Sequence, residues 1–162
     1  MKVTVRAATD TGRVRAHNED YYAALEGGES PPGVDALLVV ADGMGAHAAG
    51  EVASRMTVEG ILGLLSSRSE ESLVIEGNAF GVFLTSVLEE VNRDVWQAGR
   101  ESDKLGMGTT CTLAAIRGQQ LFLAHIGDSR AYLFRDGELH QVTTDHSWVE
   151  EAATQGIIAR EE

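Results

Sequence analysis

Residues 36 to 51 read ALLVVADGMGAHAAGE. Four large apolar residues in a row, Leu37 to Val40, lead into Asp42-Gly43, and small residues and an acid follow. A continuous apolar run of this kind suits a strand buried on both faces, and the small-residue stretch after it suits the entry to a helix. A chain holding such a segment has to build a layered core around the strand. It also has to find a use for a carboxylate where the strand stops. Three uses fit: a plain turn, a phosphate cradle, or a metal site.

The flanking pattern sets the layers. Residues 2–9 alternate as a strand, Thr11-Gly12 is a turn, and Tyr21 to Leu25 is placed to pair back. The Gly- and Pro-rich stretch 26–33 is a loop, and Ala36 to Ala41 is the buried strand. Residues 48–65 follow as a helix with Ala49, Val52, Ala53 and Met56 on one stripe. Gly60 and Gly63 each weaken it by about 1 kcal/mol relative to Ala. After the polar linker SSRSEES, the residues Phe80, Phe83, Leu84, Val87, Leu88, Val91 and Val95 repeat at helical period, with Glu89, Glu90, Arg93 and Asp94 outside.

The period then changes. Residues 110–116, 121–126, 129–134 and 138–142 read as four short strands, with hairpin turns at RGQQ and Asp136-Gly137. A last helix starts at Ser147, which forms a capping box with Glu150, and Gly156 closes it. Strands, two helices, then a strand meander give an α+β layered fold and not a run of βαβ units.

Composition narrows the function classes. The 162 residues suit one domain. A net charge of −12 argues against nucleic acid as a partner, because counterion release needs a basic face. No apolar stretch reaches the roughly 18 residues of a membrane span, and the N-terminus lacks a signal-peptide core. No membrane partner and a cytoplasmic location are therefore expected. The single cysteine, Cys111, excludes an internal disulfide and reads as a small buried hydrophobe, with no activating partner nearby in sequence.

The three uses of Asp42 can now be weighed. A plain turn looks like Asp136-Gly137, flanked by two alternating strands, and Asp42-Gly43 differs from it. A dinucleotide cradle matches G-x-G-x-x-A at residues 43–48, with Glu76 after the short apolar run 73–75. It lacks a following parallel strand, and Asp42 would repel a pyrophosphate. A metal site gains from the other acids. Asn18-Glu19-Asp20 lies near Arg13 and Arg15, and Ile126-Gly127-Asp128-Ser129-Arg130 breaks two apolar strands. Such carboxylates suit a hard, oxygen-seeking cation such as Mg²⁺ or Mn²⁺, and arginine beside them suits phosphate.

Taken in order, GRVRAHNED (12–20), VVADGMGAHAAGEVAS (39–54), GMGTTCTLAAI (106–116), AHIGDSRAYLFRDGEL (124–139) and VTTDHSWVEEAATQG (142–156) resemble the signatures of the bacterial PP2C-type (PPM) metal-dependent serine/threonine phosphatases. The resemblance implies an α-β-β-α sandwich of antiparallel sheets flanked by helices, with residues 1–162 the N-terminal portion of a single such domain. It implies removal of phosphate from phosphoserine and phosphothreonine in proteins by a water held between two Mn²⁺ or Mg²⁺ ions, a third ion being associated with bacterial members.

By position, Asp42 would bridge the metals and Gly43 would lend its carbonyl, its lack of a side chain leaving room for the ion. Asp20 would be a ligand, Glu19 would act through water, and Arg15 would clamp the phosphate. Asp128 matches the third-metal position. Arg13 would be a solvated turn residue. Met44 stands where some eukaryotic relatives carry a histidine proposed as general acid, which leaves His47 the nearest candidate acid. His146 would order the loop before the last helix, and His17, His125 and His140 would be structural or exposed.

The chain departs from the family pattern at its end, GIIAREE, where two further metal-binding aspartates of the family have no match. The sequence therefore leads us to expect an incomplete C-terminal side and weak or absent activity. It also leads us to expect a bare sheet edge open to dimerisation or element exchange. The alternative is a non-catalytic PPM-like domain that binds or regulates a phosphoprotein.

Overall fold

The computed structural model describes residues 2–45, 49–67, 78–100 and 104–146. Strand β1 (Asp20–Glu26) pairs antiparallel with β2 (Ala36–Met44). Strand β3 (Gly108–Thr109) pairs with the end of β2, and β4 (Cys111–Arg117) pairs with its apolar part. Strand β5 (Gln120–Ile126) completes the sheet in the order β1-β2-β4-β5. A separate hairpin joins β6 (Tyr132–Arg135) to β7 (Glu138–Gln141) through Asp136-Gly137, both at positive φ (55° and 86°) as a type I′ turn requires.

Two helices cover one face of the main sheet. Helix α1 (Ala49–Ser66) buries Ala53, Val58, Ile61 and Leu65, and α2 (Ala79–Ala98) buries Phe80, Leu84, Val87, Val91 and Val95. They meet Leu37, Val39 and Ala41 of β2 and Leu113 and Ala115 of β4, all buried, in one core. Phe80 anchors α2 by an edge-on contact with Phe122 of β5, ring centroids 5.0 Å apart. The opposite face carries the alternate residues, among them the part-exposed Tyr22 and Val40. Among the described residues no helix is long and apolar enough to cross a membrane.

Several elements differ from the sequence reading. Residues 2–10 alternate as a strand would but join no ladder, and the Val5 N–H donates to the Glu26 carboxylate (2.6 Å). Alternation fixes which side chains share a face; it does not fix which segment arrives in register to pair. Residues 21–25 therefore pair with β2 and not with the N-terminus. Strand β2 does not stop at Asp42 but runs through to Met44, because β3 supplies it with a partner there. The helix expected from Ser147 to Gly156, with Glu150, lies outside the described residues, as do His47 and Glu76.

The two glycines of α1 separate by their surroundings. A Cβ at Gly60 would sit 3.1 Å from Val91 Cγ2 on α2, whereas one at Gly63 would meet nothing within 4 Å. Gly63→Ala is therefore expected to stabilise the chain by about 0.5–1 kcal/mol, by removing backbone entropy from the unfolded state. Gly60→Ala is expected to lose that gain to crowding. Urea denaturation of the two variants measures the difference.

Candidate metal centre

The register of β1 and β2 puts Asp20 directly opposite Asp42. Residues so paired present their side chains on the same face, so two carboxyls meet. Strand β2 is held on its other side as well. The Asp42 N–H donates to Thr110 Oγ1 (3.0 Å), and the Asp42 carbonyl accepts from the Thr110 N–H (2.9 Å) and Thr109 Oγ1 (3.0 Å). Burial pushes the Asp42 carboxyl above its ordinary range, and the Asp20 charge, hydrogen bonding with Asp20 and the Asp128 charge push it further; the Arg15 guanidinium offsets part of this. Asp20, Asp42, Asp128 and Arg15 thus share one electrostatic neighbourhood.

Next to Asp42 the backbone is crowded. Gly43 is buried and its N–H donates to the Glu19 carbonyl (3.1 Å), which also accepts from Ser54 Oγ of α1 (2.6 Å). A Cβ on Gly43 would overlap the Gly50 carbonyl and come within 2.6 Å of the Glu19 carbonyl oxygen. The absence of a side chain at Gly43 is thus demanded by the contact between β2 and the first turn of α1, whatever the space an ion would need. The Glu19 carboxylate lies against Gly50 in that first turn, where the helix dipole favours it. Its Oε2 accepts from Arg15 Nη1 (2.6 Å), so Glu19 is engaged in orienting an arginine.

Asp10, Arg15, His17, Asn18, Asp20 and Asp42 are among the residues that line a cleft of about 230 Å³. Its rim is ordered by short polar contacts: the Gly12 N–H to Asp10 Oδ1 (2.7 Å), the Asp20 N–H to Asn18 Oδ1 (3.1 Å), and Asn18 Nδ2 to Thr9 Oγ1 (2.7 Å). The Arg15 side chain is 70% exposed, so much of its fork faces solvent. Arg13 is exposed in the turn, and Met44 is 59% exposed at the end of β2.

Asp128 sits in the break between β5 and β6. His146 closes that break, donating its N–H to the Gly127 carbonyl (2.7 Å) and packing 5.0 Å from the His125 ring. Its role is therefore at Gly127, apart from any ordering of a following helix. Thr112 Oγ1 bonds both the Ser129 carbonyl (3.0 Å) and His125 Nδ1 (2.9 Å). A carbonyl only accepts, so the threonine proton goes to Ser129 and His125 Nδ1 is assigned as the donor. His125 Nε2 is then an acceptor, buried without a partner among the described residues. Arg130 and Asp145 form a two-pronged pair (3.0 and 2.6 Å) that holds the Asp145 carboxyl below its usual range. Exposed His140 lies 3.4 Å from Glu138. Burial pushes the Cys111 thiol up to about 12, which leaves it an unreactive core residue.

The donor set fits a hard cation in kind. A carboxyl whose proton affinity is raised by a facing carboxylate is the arrangement a divalent cation relieves, and oxygen donors suit Mg²⁺ and Mn²⁺. Among the described residues no group of three or more His, Cys, Asp or Glu reaches metal-binding spacing. Other oxygens would have to come from the main chain, water or residues outside those described. The sequence reading missed Ser54 and Thr110, whose hydroxyls bond the backbone beside the acids, and Ser129, whose hydroxyl bonds that of Thr110. Only the short polar run Thr109-Thr110 before an apolar strand hinted at them.

The protein phosphatase 2C family model matches residues 11–157. The chain is 40% identical over 156 residues to the serine/threonine phosphatase stp of Listeria monocytogenes, covering 95% of this chain and 59% of that protein. It is similar to the S. agalactiae serine/threonine phosphatase structure (TM-score 0.81, 35% identity, 96% of this chain and 61% of that one). It is also similar to the catalytic domain of the phosphatase PstP in complex with two manganese ions (TM-score 0.70, 38% identity, 93% and 59%). The chain thus spans about three-fifths of the length of these relatives.

A raised Asp42 pKa destabilises the metal-free fold once the group ionises. Its folded form holds the proton more tightly than the unfolded chain, so stability falls as pH climbs from 3.8 through the folded value and stays lower above it. Asp42→Asn removes that charge. In chelator at neutral pH, the variant is expected to melt at or above the temperature of the unsubstituted chain, read by circular dichroism.

Proposed function

The chain belongs to the protein phosphatase 2C family, and on that premise we propose that the protein is a metal-dependent phosphomonoesterase acting on phosphoserine and phosphothreonine in proteins. The observation that carries this reading is the meeting of Asp20 and Asp42 across β1 and β2, with the largely exposed Arg15 guanidinium on the same cleft. Mn²⁺ or Mg²⁺ bound there would supply charge neutralisation and lower the pKa of water. Asp42 and Asp20 would hold the cation, with the Gly43 carbonyl a further donor and Asp128 a candidate for an additional, weaker site. Arg15 receives the substrate phosphate, since a planar guanidinium matches two phosphate oxygens at once. Glu19 keeps it aimed by taking one of its N–H groups. The Cys111 thiol takes no part, so no covalent phosphoenzyme forms through it.

A second reading, a phosphoprotein-binding or regulatory domain without turnover, draws on the same exposed arginine and on the lack of a three-member ligand cluster among the described residues. Phosphate release from a phosphothreonine peptide separates the two. With Mn²⁺ we expect weak release by this chain, abolished by chelator and lowered about 10²-fold or more by Asp42→Asn. Arg15→Ala is expected to raise KM about tenfold with a smaller effect on kcat. Release undiminished in Asp42→Asn overturns the placement of Asp42 in the metal site, and an absence of release with or without Mn²⁺ counts against the enzymatic reading. Peptide binding without release, indifferent to chelator, supports the binding domain.

We propose too that the edges of the main sheet, β1 and β5 among the described strands, allow self-association. Light scattering at high concentration should then give a mass above that of one chain, and a monomer mass would refute it.

A further inference from the structure

Thr110 lies between β3 and β4, at the ladder position facing Asp42, and is 5% exposed. In a regular antiparallel pair the Asp42 N–H would go to the carbonyl opposite. Here it goes to the Thr110 side chain (3.0 Å). A hydroxyl that accepts from an N–H keeps its own proton and a second lone pair free. Thr110 Oγ1 uses this capacity on Ser129 Oγ, 2.7 Å away.

Ser129 follows Asp128, and Gly127 precedes it. Gly127 has φ +103°, and a Cβ there would lie 2.6 Å from Thr110 Cγ2 and 2.7 Å from Thr110 Cβ. The loop therefore rests on the Thr110 carbons on one side of Asp128 and bonds the Thr110 hydroxyl on the other. Thr112 Oγ1 fixes the Ser129 carbonyl (3.0 Å) as well. The Asp128 charge is felt at Asp42.

We propose that Thr110 is a positioning residue whose hydroxyl ties the Asp42 strand to the Asp128 loop, fixing the two carboxylates as one unit for the cation. The proposal rests on the metal-dependent reading of this site. Thr110 touches neither substrate nor cation in this scheme and acts through the two acids. Groups that orient metal ligands typically set affinity by 10- to 100-fold, which gives the size of effect to look for.

The test titrates Mn²⁺ into the 162-residue chain by calorimetry, alongside Thr110→Val, Thr110→Ser, Ser129→Ala and Asp42→Asn. Valine keeps the shape and drops the hydroxyl; serine keeps the hydroxyl. Thr110→Val is expected to weaken Mn²⁺ binding about tenfold or more. Thr110→Ser should stay within about threefold of the unsubstituted chain, which a merely space-filling threonine would not require. Hydrogen exchange of the Asp42 amide, followed by NMR without metal, should speed up in Thr110→Val and not in Thr110→Ser. If Thr110→Val does not fold by circular dichroism, Ser129→Ala replaces it, since it leaves the Asp42 hydrogen bond intact and cuts only the link to the loop; it should weaken binding severalfold. Unchanged Mn²⁺ affinity in whichever variant folds overturns the proposal, provided Asp42→Asn abolishes binding. No Mn²⁺ binding by the unsubstituted chain overturns the metal reading and this inference with it.

Discussion

Strand β2 and helix α1 touch backbone to backbone at Gly43 and Gly50, and the geometry of the site follows from that contact. With no Cβ on Gly43, the Gly50 carbonyl can press against the strand and the Glu19 carbonyl can close in from β1's side. Gly43 and Ser54 then both donate to Glu19, so the residue next to Asp20 and the residue next to Asp42 are fastened to the same helix turn. A methyl group at either glycine would push helix and strand apart. In a close-packed interior such a shift is transmitted and not absorbed.

The crowding has an electrostatic counterpart. Asp20 and Asp42 face each other across the strand pair, and the Asp20 charge makes it harder for Asp42 to ionise. A fold selected for stability alone would put an amide or a hydroxyl at one of those positions. Keeping both carboxyls sacrifices stability at a place where a cation could use them, the usual trade at functional sites. Neighbouring polar pairs behave otherwise. Arg130 and Asp145 satisfy one another and hold the end of the meander beside the β5–β6 break.

Hydroxyl groups do much of the fastening. Ser54, Thr109, Thr110, Thr112 and Ser129 each bond a backbone or side-chain group within reach of the acids or their loops. A hydroxyl can donate and accept at once, which lets one side chain bridge two segments where a ladder is interrupted. The interruption at Thr110 lets β2 exchange β4 for β3 while Asp42 stays fully hydrogen-bonded.

Some of this was legible in the residues alone. The apolar run 37–40, the helical period from Phe80 to Val95 and the Asp136-Gly137 hairpin dictate buried strand, amphipathic helix and type I′ turn, because each depends on neighbours a few residues away. The order of the motifs identified the family, and with it the acids to watch. Pairing and contact could not be read there. The N-terminal alternation found no ladder, β1 turned to β2, and β2 continued past Asp42, since hydrogen bonds between strands depend on which chain segment arrives alongside. The sequence by itself determined the elements, the family and the residue types at the site. Only the tertiary structure decided that Gly43 is a packing requirement, that Glu19 accepts from Arg15, and that Thr110 bonds both strand β2 and the loop after Asp128. Thr110 lies 68 positions from Asp42 and 19 from Ser129. Even the short-range pairs Glu19–Arg15 and Gly43–Gly50 depend on how a loop and a helix entry fold back, which no periodicity encodes.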